Sequence, residues 1–246
     1  GGGVAMMKAS AIVSNCLIRG CYSASSHENL GAGVYLEGGL LTHSRITDCG
    51  DHKPGAHGSG GTALYKLGST TSREEATVRN VLIDHCESRS SRVVRMLHGH
   101  LENCTITENK TAANMPAVLL SPAFDNVKYL LVTVTNTVIW GNSGTNLMLA
   151  AVAPAQLEKE IVGCCCYSEA EEGVDGNTAK DPKFRVGKNR GLGVISSKGS
   201  CFRTGAVQPW MDGATDFRGN PRLTDGKVDI GCYQVGFDPG MMLLVR

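Results

Sequence analysis

An eight-residue phrase that returns six times along this 246-residue chain constrains the fold more than any other feature. The copies are SNCLIRGC (14–21), THSRITDC (42–49), RNVLIDHC (79–86), ENCTITEN (102–109), TNTVIWGN (135–142) and the degraded VGCCCYSE (162–169). The fifth position of the phrase is Ile18, Ile46, Ile83, Ile106, Ile139 and then Cys166. These positions are 28, 37, 23, 33 and 27 residues apart. A kept core with connections of varying length is typical of a β-solenoid, whose strands stack in register while loops bulge between them.

The phrase itself predicts a strand with one inward face. Its third and fifth positions are small or apolar and alternate with its fourth and sixth, and a period of two places the two sets on opposite faces. A second strand precedes each phrase, within 1–7, 31–38, 61–68, 92–99, 116–122 and 146–152. Each coil is therefore predicted to hold two strands, a bend and a loop, about 4.8 Å from the next coil. Asparagines at positions two and eight are predicted to stack at the corners, because Asn tolerates left-handed backbone.

Ten cysteines would suit a disulfide framework, but the repeat predicts another use for most of them. Cys16, Cys104 and Cys164 fall at the inward third position, where Cys acts as a small hydrophobe. Three more share one corner in successive coils, namely Cys21, Cys49 and Cys86. Either one bridge in that column or a stack of buried thiols fits the spacing, because stacked Cα atoms lie within disulfide range. The redox state of the column is left open.

Composition excludes several classes of function. The net charge is +1 with no basic run, which argues against a nucleic-acid partner. No apolar stretch reaches the ~18 residues of a membrane span. The chain opens on GGGV inside a coil, where a bare sheet edge would be exposed, so we expect N-terminal coils and a signal peptide to be missing. We expect a monomer.

The last third of the chain carries a different pattern. It contains Asp181-Pro182-x-Phe184 and then Asp216-x-x-Gly219-x-Pro221-Arg222-x-x-x-Gly226-x-Val228-Asp229-Ile230-Gly231-x-Tyr233. With the repeats before it, this combination resembles the end of bacterial right-handed parallel β-helix proteins of the choice-of-anchor Q type. Two stretches depart from the family pattern: Ser200-Cys201-Phe202 stands for its Ser-Pro-Ala, and Gly231-Cys232-Tyr233-Gln234 for its Gly-Ala-Tyr-Glu.

The resemblance implies an all-β chain with a right-handed single-stranded parallel β-helix of the pectin-lyase-like fold. It also implies a secreted protein or one on the bacterial cell surface. We expect one domain, with coils over 1–175 and the last coils and a C-terminal cap over 176–246. Asp216, Arg222 and Asp229 are expected to pair and to fix the turns of that cap.

Stacking aligns the outward positions six and seven of the phrase into a candidate site. Asp48, Asp84, His85 and Glu108 should lie within three neighbouring coils and are the candidate catalytic residues. The candidate ligand-binding residues are Arg19, Arg45, Trp140 and Tyr167. Paired carboxylates suit acid–base chemistry on a sugar polymer, and aromatic rings suit the faces of its pyranoses. The carboxylates could also hold Ca²⁺, which prefers oxygen ligands.

Two functions from different classes fit these residues. The first is an extracellular or cell-surface solenoid that binds glycans or surfaces without catalysis. The alternative is a polysaccharide lyase or glycoside hydrolase acting on a uronate-containing polysaccharide. An ordinary solvated strand face would show the same residues, because outward positions of any strand are polar. A glycine loop with His52 and His57 is interpreted as surface.

Overall fold

The computed structural model describes residues 2–23, 30–51, 61–67, 75–121, 131–149, 162–185 and 193–236. The chain is all-β, with parallel strands stacked in three six-stranded sheets and one two-stranded sheet. We call the three large sheets A, B and C. Apart from the two strands of the small sheet, successive strands along the chain belong to A, B and C in turn, and each strand pairs with the equivalent strand of the neighbouring coil. This arrangement is consistent with a β-helix solenoid.

Each full coil contributes one strand to each large sheet. Sheet A is β1 (Val4–Met6), β5 (Val34–Leu36), β9 (Gly61–Lys66), β12 (Arg92–Met96), β15 (Val118–Leu120) and β18 (Leu147–Leu149). Sheet B is β2 (Ile12–Ser14), β6 (Gly39–Thr42), β10 (Ala76–Arg79), β13 (His98–Glu102), β16 (Leu131–Thr135) and β19 (Val162–Gly163). Sheet C is β3 (Leu17–Arg19), β7 (Arg45–Thr47), β11 (Leu82–Asp84), β14 (Thr105–Thr107), β17 (Val138–Trp140) and β20 (Cys166–Tyr167). The small sheet pairs β4 (Tyr22–Ser23) with β8 (Gly50–Asp51).

The prediction of two strands per coil is therefore wrong, because each coil has a third strand, in sheet B. This strand ends at the first residue of the first five phrases and at the second residue of the sixth. A single corner separates it from the strand in sheet C. The residue at this corner takes left-handed backbone, with φ between 47° and 54°. It is position two in the first five phrases and position three in the sixth: Asn15, His43, Asn80, Asn103, Asn136 and Cys164. Asn is among the few residues that adopt this region readily, which explains its recurrence.

The predicted isoleucine column is confirmed over five coils. Sheet C pairs Ile18 with Ile46, Ile46 with Ile83, Ile83 with Ile106, and Ile106 with Ile139. All five side chains are buried in one core with the inward residues of sheets A and B. Stacked identical side chains meet from coil to coil, so the column is a continuous apolar strip along the solenoid.

The predicted register of the sixth phrase is wrong by one residue. Ile139 lies opposite Tyr167, and Val138 lies opposite Cys166. Consequently Cys165 points inward, whereas Cys164 occupies the left-handed corner with φ 50°. The run Gly-Cys-Cys-Cys gives no contrast in hydropathy, so the sequence alone could not fix the register there.

The predicted stacking of asparagines at position eight is present between the two coils that carry Asn there. Asn109 Nδ2 donates to the carbonyl oxygens of Ile83 and Thr107, both at 3.0 Å, and to Asn142 Oδ1 at 2.9 Å. The Cys86 thiol fills the same place one coil earlier and donates to Asp84 O at 3.4 Å. All ten cysteines are free thiols. The side-chain amide of Asn109 and the thiol of Cys86 therefore both donate hydrogen bonds to backbone carbonyl oxygens at this corner.

The C-terminal segment, residues 193–236, lies along the outer face of sheet C. The Cys232 amide donates to Thr105 Oγ1 at 3.1 Å, and the Gly231 amide donates to Asn136 O at 2.8 Å. Two apolar clusters join the layers. One holds Leu82, Val194, Cys232 and Tyr233, and the other holds Val138, Cys166, Ile195, Cys201, Ile230 and Val235. Outward residues of the middle coils are therefore buried.

The buried charges of this segment fix turns through backbone groups. Asp216 accepts hydrogen bonds from the backbone amides of Arg218, Asn220 and Gln234, each at 2.8 Å. Arg222 Nη2 donates to Asp229 O at 2.9 Å and to Gly231 O at 2.6 Å. The sequence-based expectation that the charges pair with one another is wrong among the described residues, where each side chain bonds main-chain atoms instead. Burial lowers the pKa of Arg222 to about 10.

Candidate functional site: a charged row beside sheet C

A row of charged side chains follows the ends of the sheet C strands. Asp48, His85 and Glu108, at position seven, hold left-handed backbone with φ of 52°, 52° and 55°. Gly20 and Gly141 take the same corner in the first and fifth coils. Glycine reaches this conformation at the lowest cost, so three successive coils retain ionisable side chains at some conformational expense. The predicted alignment of these three residues is therefore present in the structure.

Asp84 is the buried anchor of the row. Its side chain is 0% exposed, and Oδ1 accepts a hydrogen bond from Arg45 Nε at 2.8 Å. Oδ2 accepts from Arg45 Nη2 at 2.6 Å and from Thr47 Oγ1 at 3.2 Å. The hydrogen bonds to Asp84 raise the pKa of Arg45, although burial opposes them. A bidentate arginine pair of this kind is among the strongest polar contacts in proteins.

His85 connects Asp84 to the surface. Its Nδ1 lies 2.6 Å from Asp84 Oδ2, and its Nε2 lies 3.2 Å from Glu108 Oε2. Asp48 pairs with Arg19 on the first coil at 2.8 Å. His85 and Glu108 are about half exposed, at 48% and 50%. We use the term charged row for the exposed members of this group, Arg19, Arg45, Asp48, His85 and Glu108.

The two aromatic residues predicted to bind a ligand, Trp140 and Tyr167, lie on opposite faces of sheet C. Trp140 is in register with Thr107, on the outward face as predicted, but it packs partly against the cluster formed with the C-terminal segment. Tyr167 is in register with Ile139 and packs against the inner core, so it does not follow Trp140 outward. Burial raises the pKa of Tyr167. The predicted aromatic pair beside the carboxylates is therefore wrong for Tyr167.

The row does not form a cation site among the described residues, where no group of three or more His, Cys, Asp or Glu side chains is placed to hold a metal ion. The reason is visible at Asp84, whose oxygens already accept from a guanidinium, a hydroxyl and a ring nitrogen. The Ca²⁺ expectation gains no geometric support from this part of the chain. The loop with His52 and His57 lies outside the described residues.

Sequence reasoning missed three groups, of which the first two, Thr47 and Tyr233, lie beside the charged row and the third lies on sheet A. Thr47 holds Asp84 from the neighbouring strand, and the alternation of the phrase already placed it outward. Tyr233 comes from the C-terminal segment and is almost fully buried beside Leu82, which no periodic signal indicates. On sheet A, Tyr35 and Tyr65 stack with ring centroids 6.0 Å apart. Their shared position in GAGVYLEG and GTALYKLG was the signal that could have found them.

Comparison of the chain with family models, with curated proteins and with solved structures finds no match. Among the described residues, no helix has the length and apolar character needed to cross a membrane.

Proposed function

We propose that this chain is an extracellular or cell-surface β-solenoid that binds carbohydrate along the charged row without catalysing a reaction. The coils are proposed to wind right-handed in the pectin-lyase-like manner, because crossovers between parallel strands are right-handed in nearly all proteins. A secreted or bacterial cell-surface location is part of the proposal and rests on the resemblance of the C-terminal pattern.

The observation that carries the proposal is the row at position seven. Asp48, His85 and Glu108 present hydrogen-bonding groups one coil apart, over roughly 10 Å, at corners where glycine would cost less. A linear ligand rich in hydroxyl groups can donate to the carboxylates and accept from the guanidinium N–H groups of the row. Repeating coils therefore match a repeating polymer.

The geometry of Asp84 supports binding rather than catalysis. A general acid or base must reach the substrate within hydrogen-bond distance. Asp84 is fully buried, and both of its oxygens already accept hydrogen bonds. His85 has a carboxylate oxygen within 3.2 Å of each ring nitrogen, so neither nitrogen is directed at a substrate.

The alternative, a polysaccharide lyase or glycoside hydrolase, is favoured by one feature: Glu108 and His85 are adjacent and half exposed. A glycan array of neutral and uronate polymers, with and without Ca²⁺, separates the two functions. Binding polymers are then incubated with the protein, and products are followed by new reducing ends and by the ultraviolet absorbance of unsaturated sugars. Binding without product supports the proposal. Product that disappears in Glu108→Gln would establish the enzyme, and no binding to any polymer would refute both.

A further inference from the structure

Two buried thiols meet where the C-terminal segment crosses the last described coil. Cys166, on β20, and Cys201, in the C-terminal segment, are both 0% exposed and belong to one apolar cluster. The neighbouring Cys166 thiol and burial raise the pKa of the Cys201 thiol. They also share a polar neighbourhood, because Cys166 Sγ donates to Lys180 O at 3.3 Å and Ser200 Oγ donates to the same oxygen at 2.9 Å. Ser200 Oγ lies 3.9 Å from Cys201 Sγ.

Neither cysteine belongs to a repeated thiol position of the solenoid. Cys166 lies opposite Val138, in a column whose other members are Leu17, Arg45, Leu82, Thr105 and Val138. Cys201 falls in Ser200-Cys201-Phe202, one of the two departures of the C-terminal pattern. The two thiols therefore share one buried cluster through the packing of two separate layers, and not through the repeat.

We propose that Cys166 and Cys201 are a cross-linking site, at which a small-molecule disulfide such as glutathione disulfide converts the two thiols into one disulfide that fastens the C-terminal segment to the solenoid. A thiolate of the pair attacks the oxidant, forms a mixed disulfide and releases one glutathione. The second thiol then displaces the second glutathione. Two protein thiols are oxidised, one glutathione disulfide is reduced, and two glutathione thiols leave with the protons.

The column of Cys21, Cys49 and Cys86 is a poorer site, although these thiols also shift one another's pKa. They occupy one corner of successive coils, where in-register strands lie about 4.8 Å apart, wider than the usual 3.5–4.5 Å between disulfide Cβ atoms. Cys166 and Cys201 come from different layers, so no strand register holds them apart.

The test uses the full chain, reduced and then incubated with glutathione disulfide, either folded or during refolding. Free thiols are blocked in denaturant, and the protein is cut with trypsin after Lys159, Lys180, Lys198 and Arg203. The expected product joins peptide 160–180 to peptide 199–203, and reductant separates them. The same link should survive Cys164→Ser and Cys165→Ser, because those residues share the peptide, and vanish in Cys166→Ser and Cys201→Ser.

A second measurement is independent of peptide mapping. Closing a loop of this length should raise the thermal midpoint by roughly 5–10 °C in the oxidised protein, and Cys201→Ser should remove the rise. Recovery of both peptides separately blocked, after oxidation in the folded state and during refolding, would overturn the proposal. So would a link that persists in Cys166→Ser.

Discussion

Asn136 and Ala206 exchange two hydrogen bonds across 70 residues of sequence. Asn136 Nδ2 donates to Ala206 O at 2.7 Å, and the Ala206 amide donates to Asn136 Oδ1 at 2.7 Å. Asn103 Nδ2 donates to Asp229 O at 3.3 Å and Asn80 Nδ2 to Thr215 O at 3.0 Å. The left-handed corners between sheets B and C therefore serve as the attachment line for the C-terminal segment.

Replacing one corner asparagine should show this attachment. Asn136→Gly keeps the left-handed backbone but removes both hydrogen bonds to the half-buried backbone of Ala206, so we expect a loss of about 1–3 kcal/mol in the free energy of unfolding. Asn15→Gly is the matched control, because Asn15 holds the same corner and, among the described residues, its side chain bonds only Ser14 Oγ. It should change stability by less than about 0.5 kcal/mol. Equal losses in urea denaturation would contradict the attachment.

The two carboxylates of the row should differ in their contribution to stability. Asp84→Asn removes a buried charge paired with Arg45, and we expect a cost of about 1–3 kcal/mol. Asp48→Asn removes an exposed pair with Arg19 and should cost about 0–1 kcal/mol. Denaturant titration of both variants measures the difference. A smaller loss in Asp84→Asn than in Asp48→Asn would show that Asp84 is not the anchor.

Truncating an isoleucine in the middle of the column should lower the free energy of unfolding more than truncating one at its end. Ile106 is 0% exposed with isoleucines on both sides, and Ile106→Ala should cost about 2–5 kcal/mol. Ile18 lies in the first described coil and pairs on one side only, so Ile18→Ala should cost less. Unfolding free energies of the two variants decide the point, and a greater loss at Ile18 would argue against the register.

Alkaline pH should weaken the C-terminal layer through Tyr233. Burial raises the pKa of Tyr233 above its usual value of 10. A raised folded pKa means that the stabilisation is complete below pH 10, and is lost as pH rises from there towards the folded value. The free energy of unfolding should therefore fall less steeply above pH 10 in Tyr233→Phe than in the parent. Arg222, whose pKa is lowered to about 10, acts in the opposite direction in both proteins. Identical slopes would mean that Tyr233 ionises freely.

The sequence predicts the parts of this structure that repeat. The isoleucine column and the corner asparagines follow from a period that five coils share, because stacked coils impose the same environment on the same position. The charged row was also predictable, since Asp48, His85 and Glu108 hold one position in three coils. These features are local to the phrase.

What does not repeat could not be predicted. The contact of Asn103 with Asp229 joins residues 126 positions apart, and nothing in either stretch indicates the other. Asp84 looked like an exposed outward residue, because strand alternation reports the direction of a side chain and not what later covers it. The one-residue error in register at Tyr167 arose because three cysteines in succession show no alternation between inward and outward residues.

The most direct test of the proposed function compares two glutamates that each face a histidine. Glu108, in the charged row, lies 3.2 Å from His85, and Glu75, beside sheet B, lies 3.5 Å from His100. Both are substantially exposed, so Glu108→Gln and Glu75→Gln remove the same charge from similar surroundings on different faces. Affinity for the strongest ligand of the glycan array is measured for both by titration calorimetry. The account predicts about tenfold weaker binding for Glu108→Gln and unchanged binding for Glu75→Gln. Unchanged binding in Glu108→Gln, or an equal loss in both, would contradict the proposal that the charged row is the binding face.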